Sequence, residues 1–369
     1  MPATPMPPIR ANRPVTALLF HPFVTGAVAA LGGLASLAAG PAFGQGAPPV
    51  PAAPAAAPAA ADRPKATGER LKLATSDGFA LAAWHYPATQ PEADGEKAPP
   101  PPVVILLHDL GGSHQSLESL AEELQARGIT VVAPDLRGHG ATTPPDERSG
   151  LDAKSIKKAD FDAMVVTGGG RVRDQAANRG DVEAVRGWIK ERAEAGKLDM
   201  GKLVVVGSGV GAAVAAQWAV ADASWPDLAS GAQGRDVRGL VLVSPAWTTR
   251  GFSISPAMAV EPVRRAMPIL VIGGTTDADA VKIYEQLKRQ RPDAWNEKRP
   301  GQNDAKVAPK LEEAQKRGDA AMPTLWLRIL DTKLSGDRLA AYVPKDRAAT
   351  GLPADLVDRF LRTVTVPEP

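Results

Sequence analysis

An α/β fold, with a mostly parallel sheet and helices on both faces, is predicted by two features of this sequence. Short, unbroken apolar runs at 103–107, 203–206, 240–243 and 269–272 have the length and Val/Leu/Ile content of strands buried on both faces. Between them lie segments with apolar residues at helical spacing, such as Leu117, Leu120, Ala121 and Leu124, closed by Gly128.

The elements follow in order. Arg10 and Arg13 open an uncharged stretch, 15–44, that ends in Ala42-Phe43-Gly44. Small residues at the two positions a signal peptidase reads predict a signal peptide over 1–44, cleaved before Gln45. The alternative is an uncleaved anchor, since 23–40 carries no charge over 18 residues. Residues 45–69 form an Ala/Pro-rich linker, nearly pure Ala and Pro at 46–64, which cannot bury a core. The folded domain is expected over 70–369. Residues 71–75 and 80–84 alternate as strands around the Ser76-Asp77-Gly78 turn, giving a hairpin. After the Pro-rich 91–102 loop come the strand at 103–107, the helix through Leu124 and a strand at 130–133. A long loop with a short helix is expected over 141–173, which contains Gly168-Gly169-Gly170. Val182, Val185 and Ile189 mark the next helix. A Gly-rich turn joins the 203–206 strand to a helix carrying Val214, Ala215, Trp218 and Ala219, and Trp218 and Trp225 read as packing residues. Strands at 240–243 and 269–272 are separated by too little chain for a lid domain. The segment 291–320, highly charged and holding Pro292, Pro300 and Pro309, reads as a solvated insertion, helical at 309–317. A strand at 325–329 and a helix from Pro353 close the domain.

Composition excludes several functions. The formal net charge is +2 and Lys/Arg are interspersed with Asp/Glu, so no basic surface for nucleic acid is expected. Zero cysteines rule out disulfides, thiolate nucleophiles and Cys-metal sites. No His-Glu-x-x-His or other metal constellation is present, and no cofactor is implied. The triplet Gly207, Gly209, Gly211 has neither a P-loop lysine nor a later Rossmann acid, which argues against nucleotide binding.

Four motifs then fall at strand ends. These are Leu107-His108-Asp109-Leu110-Gly111-Gly112, 134–140 (Pro-Asp-Leu-Arg-Gly-His-Gly), 206–212 (Val-Gly-Ser-Gly-Val-Gly-Ala) and Gly274-Thr275-Thr276-Asp277. In this order they resemble the α/β-hydrolase superfamily of serine esterases, lipases and peptidases, over about 70–365. The resemblance implies that the first is the His-Gly oxyanion loop, with Asp109 where Gly is usual. It further implies that 206–212 is the nucleophile elbow and that Asp277 stands at the position of the triad acid.

The elbow is a sharp strand-to-helix turn that needs small residues two before and two after the nucleophile. Gly207 and Gly211 fit as that pair, which places Gly209 at the centre. Choosing Ser208 instead would put Val206 and Val210 at the small positions, where β-branched side chains fit poorly. The superfamily's triad runs Ser, Asp/Glu, His in chain order. All five histidines here (His21, His85, His108, His114, His139) precede the elbow. Where the family commonly shows His-Gly after the last strand, this chain has Ser335-Gly336. His108 reads as structural, Asp135 and His139 as loop braces, and His114 as the one candidate for an unusual base.

Three functions remain in view. The first is an exported, catalytically degenerate hydrolase-like protein of the bacterial periplasm or cell surface. It would bind a small molecule or an envelope protein through the backbone amides of Leu110 and Val210, beside His108 and Asp109, with the degenerate triad at Gly209, Asp277 and Ser335. The second is a working serine hydrolase using Ser208 with His114 or another atypical base. The third is an envelope interaction module. Membrane contact is expected only through the N-terminal segment, if it is not cleaved.

Overall fold

Unbroken runs of four or five β-branched and leucine residues suit strands of a sheet covered on both faces. The computed structural model builds that arrangement. It describes residues 68–89, 98–146, 150–166, 180–226, 234–319, 321–344 and 352–365. The expected signal segment, nearly all of the linker and Gly168-Gly169-Gly170 lie outside the described residues.

The chain enters through β1 (Glu69–Ala74) and β2 (Ala80–Tyr86), paired antiparallel as expected. Next come β3 (Pro102–Leu107), α1 (Glu118–Gln125), β4 (Thr130–Pro134), α2 (Lys158–Val165) and α3 (Asp181–Glu194). β5 (Asp199–Ser208) runs into α4 (Val210–Ala223), followed by β6 (Val237–Val243). The short connection to the next long strand holds a two-residue hairpin, β7 (Thr248–Thr249) and β8 (Phe252–Ser253), and α5 (Ser255–Ala259). Then follow β9 (Ile269–Gly274), α6 (Ala278–Gln290), β10 (Trp295–Lys298), β11 (Lys306–Val307), α7 (Pro309–Lys316), β12 (Leu325–Leu330), α8 (Asp337–Ala340) and α9 (Pro353–Val364).

Among the described residues the main sheet has ten strands in the order β1-β2-β4-β3-β5-β6-β9-β12-β10-β11, parallel from β4 to β10. Successive side chains of each strand go to opposite faces. Val103, Ile105 and Leu107 join a core with α2 to α6, whereas Val104 and Leu106 join a second core with α1, α8 and α9. Trp218 and Trp225 are buried, as packing residues should be.

One expectation needs correction. The 291–320 segment is no mere solvated excursion: β10 and β11 extend the sheet beyond β12, and α7 sits where the helix was expected. Its charges are used internally. Glu297 is buried against Lys288 at 3.0 Å, and the Lys288 ammonium lies 3.7 Å from the Trp295 ring centroid.

Parallel pairing also fixes which loops meet. Leu107 of β3 pairs with Gly207 of β5, Ser208 with Val243 of β6, and Gly274 of β9 with Leu330 of β12. All four resembling motifs follow carboxyl ends of strands, so they collect along one edge of the sheet, where open α/β sheets place their ligands.

Candidate functional site

β5 ends at Ser208 and α4 begins at Val210, leaving one residue for the turn. That residue is Gly209, at φ 53°, ψ −118°. A positive φ of this kind is what a one-residue strand-to-helix bend requires, and glycine adopts it without a Cβ clash. The bend is pinned by the Gly209 amide donating to the Val243 carbonyl at 3.0 Å and by the Ala246 amide donating to the Gly209 carbonyl at 3.1 Å. Its flanks are tight. A methyl group at Gly207 would lie 2.5 Å from the Ala212 Cα, and one at Gly211 would lie 2.5 Å from the carbonyl oxygens of Leu107 and His108. The apex therefore carries no side chain. Ser208, one residue earlier, is buried, and its hydroxyl lies near the Asp337 carboxyl without a well-formed hydrogen bond among the described residues.

The space above the apex belongs to Asp109. A β-carbon placed on Gly209 would overlap the Asp109 carboxylate. One carboxylate oxygen, Oδ1, accepts from the Leu110 amide at 2.7 Å and from the Val210 amide at 2.8 Å. Those two amides were expected to offer an open anion site. The structure corrects this: the chain's own carboxylate is the anion they hold.

The loop geometry explains how Asp109 arrives there. The Gly112 amide donates to the Asp109 carbonyl at 2.9 Å, and Gly111 has φ 80°, so residues 109–112 form a tight turn. His108 anchors it from beneath. Its ring is fully buried and accepts at Nε2 from the Leu136 amide at 3.0 Å, which leaves the proton on Nδ1 to donate to the Asp109 carbonyl at 2.7 Å. Burial, with the neighbouring His139 ring, pushes the His108 pKa down to about 4, so the imidazole is neutral at pH 7. Both ring nitrogens are therefore engaged in holding the two loops together.

A second carboxylate closes the site from the loop after β12. Asp337, the first residue of α8, accepts from the Asp109 amide at 2.8 Å. Gly336 before it has φ 56°, and a β-carbon there would sit 2.7 Å from Asp109 Oδ2. Burial pushes the Asp337 pKa up to about 6, against the pull of the Asp109 amide and the Ser208 hydroxyl, with the Asp109 charge adding to the rise. Asp109 thus sits among three loops, with glycines at 209 and 336 leaving room for its carboxylate.

The other expected residues are placed elsewhere. Ser335 is exposed. Asp277 caps α6, accepting from the Ala280 amide at 3.0 Å, with its second oxygen buried and unpartnered among the described residues. His114, the candidate base, stacks on Trp84 with ring centroids 3.3 Å apart, and both its Nδ1 and its backbone amide are bound to Asp135, at 2.9 Å and 2.7 Å. Asp135 also accepts from the Ala141 amide at 2.8 Å, and so braces the loop after β4. His139 closes that loop by its Nδ1 contact to the Arg137 carbonyl at 3.0 Å. Sequence reasoning missed Asp337, which lies two residues beyond the position where a base was sought. It noticed Asp109 only as a departure from Gly; the departure was itself the signal. Among the described residues no three metal-ligating side chains converge, and no helix is long and apolar enough to cross a membrane.

A curated relative, the uncharacterized protein YnbC of Escherichia coli, is 28% identical over 177 residues, 48% of this chain, and the match spans 23% of that relative's length. Solved structures with similar coordinates include a dienelactone hydrolase from Anabaena variabilis (TM-score 0.46, 16% identity, 81% of this chain and 99% of that one). A Pyrococcus furiosus esterase has a TM-score of 0.47 at 14% identity, covering 81% of this chain and 91% of its own. A thermostable carboxylesterase from a metagenomic library has a TM-score of 0.47 at 15% identity, covering 82% and 91%. The sequence profile of the alpha/beta hydrolase family matches residues 104–368, from β3 to the C-terminus, and the chain belongs to that family.

Proposed function

We propose that this protein is a non-catalytic member of its family, exported to the periplasm or cell surface, which acts by binding a small molecule or an envelope protein. The observation that carries the proposal is the pairing of Gly209 with Asp109. The apex of the elbow has no nucleophile, and a carboxylate fills both the nucleophile's space and the pair of amides that would stabilise an oxyanion. Serine hydrolysis needs a nucleophile, a base within hydrogen-bond reach and free donors for the developing charge. Gly209, the exposed Ser335 and the occupied amides of Leu110 and Val210 supply none of the three. Export rests on the 1–44 segment alone, and cell fractionation with N-terminal sequencing of the mature chain tests it.

One observation favours a second reading. The Asp337 carboxyl feels the hydroxyl of Ser208, and its raised pKa suits a base that titrates near neutral pH. A Ser208–Asp337 hydrolase would use it. Incubation of the full chain with a fluorophosphonate probe and a short-chain aryl ester separates the two. The expected result is no labelling beyond a heat-denatured control and no turnover beyond buffer. Labelling and turnover that disappear in Ser208→Ala would establish the second reading and remove the first.

A further inference from the structure

Two arginines of the C-terminal part of the domain have lost exposure in different ways. Arg291, buried at the end of α6, is fully used. Its guanidinium donates to the carbonyls of Arg264 (3.0 Å), Met267 (2.7 Å), Thr324 (2.8 Å) and Val263 (2.6 Å), so it ties three segments together without any carboxylate. Arg328, half-buried on β12, is not. Its Nη1 reaches the Leu327 carbonyl at 2.7 Å and the Asn296 carbonyl at 3.4 Å, and among the described residues its remaining donors have no acceptor and no carboxylate pairs with it.

Arg328 lines a cleft of about 340 Å³ between the turn after β10, the end of β12 and α9. Lys298, Arg299 and Arg359 line the same cleft. Arg299 shares Glu285 at 3.4 Å and Glu297 at 3.9 Å. Lys298 and Arg359 have no ion pair among the described residues, and the Nε of Arg359 makes only a 3.5 Å contact to the Asp355 carbonyl. The opposing charge in the lining is Asp331, exposed at the rim. Burial, and then the Arg359 charge, push the Arg328 pKa down to about 10. Like charges gathered in a partly desolvated cleft are unfavourable unless an anion joins them. The remaining wall includes Leu356 and Leu330, which offer apolar surface beside the cationic end.

We propose that this cleft binds a small organic phosphate, with the phosphate held by Arg328, Arg359 and Lys298 and the organic part against Leu356 and Leu330. Three cations without carboxylate partners match a dianion better than a monoanion. Two of them are guanidiniums, whose planar donors suit phosphate oxygens in pairs. The site opens at the carboxyl ends of β10 and β12, and β10 exists only because of the 291–320 segment. It shares no residue with the Asp109–Gly209–Asp337 site, so its failure would leave the reading of the elbow untouched.

The test is calorimetric titration of the full chain in low-chloride buffer with glycerol 3-phosphate, phenyl phosphate, inorganic phosphate and glutarate. A phosphate monoester is expected to saturate with a Kd below about 1 mM. Arg359→Gln and Lys298→Gln, both at exposed positions, should each weaken it about tenfold, the scale of one charge-assisted hydrogen bond. Thermal melts establish that both variants fold. Absence of saturable binding by any phosphate, or binding that neither variant weakens, overturns the site. Glutarate binding as tightly as the monoesters overturns its assignment to phosphate.

Discussion

At Gly209 two demands meet: a bend that only a positive φ can make, and a carboxylate that needs the volume a side chain would take. Gly209→Ser would meet both at once. Positive-φ strain alone is on the order of 1–3 kcal/mol, and the serine would also push Asp109 away from the amides of Leu110 and Val210. In an Asp109→Gly background the second penalty vanishes. A double-mutant cycle read by urea denaturation should therefore show coupling of about 1 kcal/mol or more between the two positions. Strict additivity would mean that the carboxylate does not occupy the apex. Installing a serine at 209 and a histidine at 335 must for the same reason be accompanied by a change at Asp109. Asp337 makes a separate prediction. Its folded pKa of about 6 lies above the unfolded value of about 3.9, so the native state holds the proton more tightly. Stability from this group is complete below about pH 4 and declines as pH rises to about 6, by up to roughly 3 kcal/mol. Asp337→Asn keeps an oxygen for the Asp109 amide but does not titrate. Relative to the parent, the variant should gain stability between about pH 4 and 6 and hold that gain above it. His108, with its pKa lowered to about 4, acts in the opposite sense below pH 6.5, but it is common to both proteins and cancels in the difference. A difference independent of pH would sink the assignment.

At the scale of elements, the joint between β5 and α4 is set by glycines rather than by side-chain packing. The start of α4 passes so close to the ends of β3 and β5 that a β-carbon on Gly207 or Gly211 would fall on backbone atoms, which cannot rotate aside. Gly207→Ala is expected to cost about 3 kcal/mol in guanidinium denaturation, at the upper end of overpacking penalties. A cost below about 1 kcal/mol would show that strand and helix can separate there. The edge strands follow a different rule. β10, Trp295–Lys298, has no alternation or apolar run to announce it. It exists because β12 offers an unpaired edge and because Glu297 finds Lys288 on α6. Charged residues in so short a strand read as solvent-facing until a partner is known.

Over the whole molecule, β3, β4, β5, β6, β9 and β12 were legible because burial on two faces leaves an apolar run of fixed length in the sequence, and the β1–β2 hairpin because its residues alternate around a turn. The order of the motifs was legible too, since parallel connections place each one after a strand. Glycines at 207, 209 and 211 and the absence of histidine beyond position 139 were enough to question the elbow. What could not be read was the occupancy of the site. Asp109, Val210 and Asp337 are far apart in the chain, and nothing local records that three loops close on one carboxylate. The same holds for Arg328, whose lack of a carboxylate partner among the described residues becomes visible only when β10 and α9 are set beside it.

The sequence by itself determined the layered α/β architecture and the missing side chain at the bend, because strand periodicity and backbone sterics are local. Only the tertiary structure decided that a carboxylate fills the vacant space and takes the two amides, and that Lys298, Arg328 and Arg359 share a cleft. Hydrogen bonds and charges act between whichever groups folding brings within a few ångströms, and distance along the chain carries no trace of that.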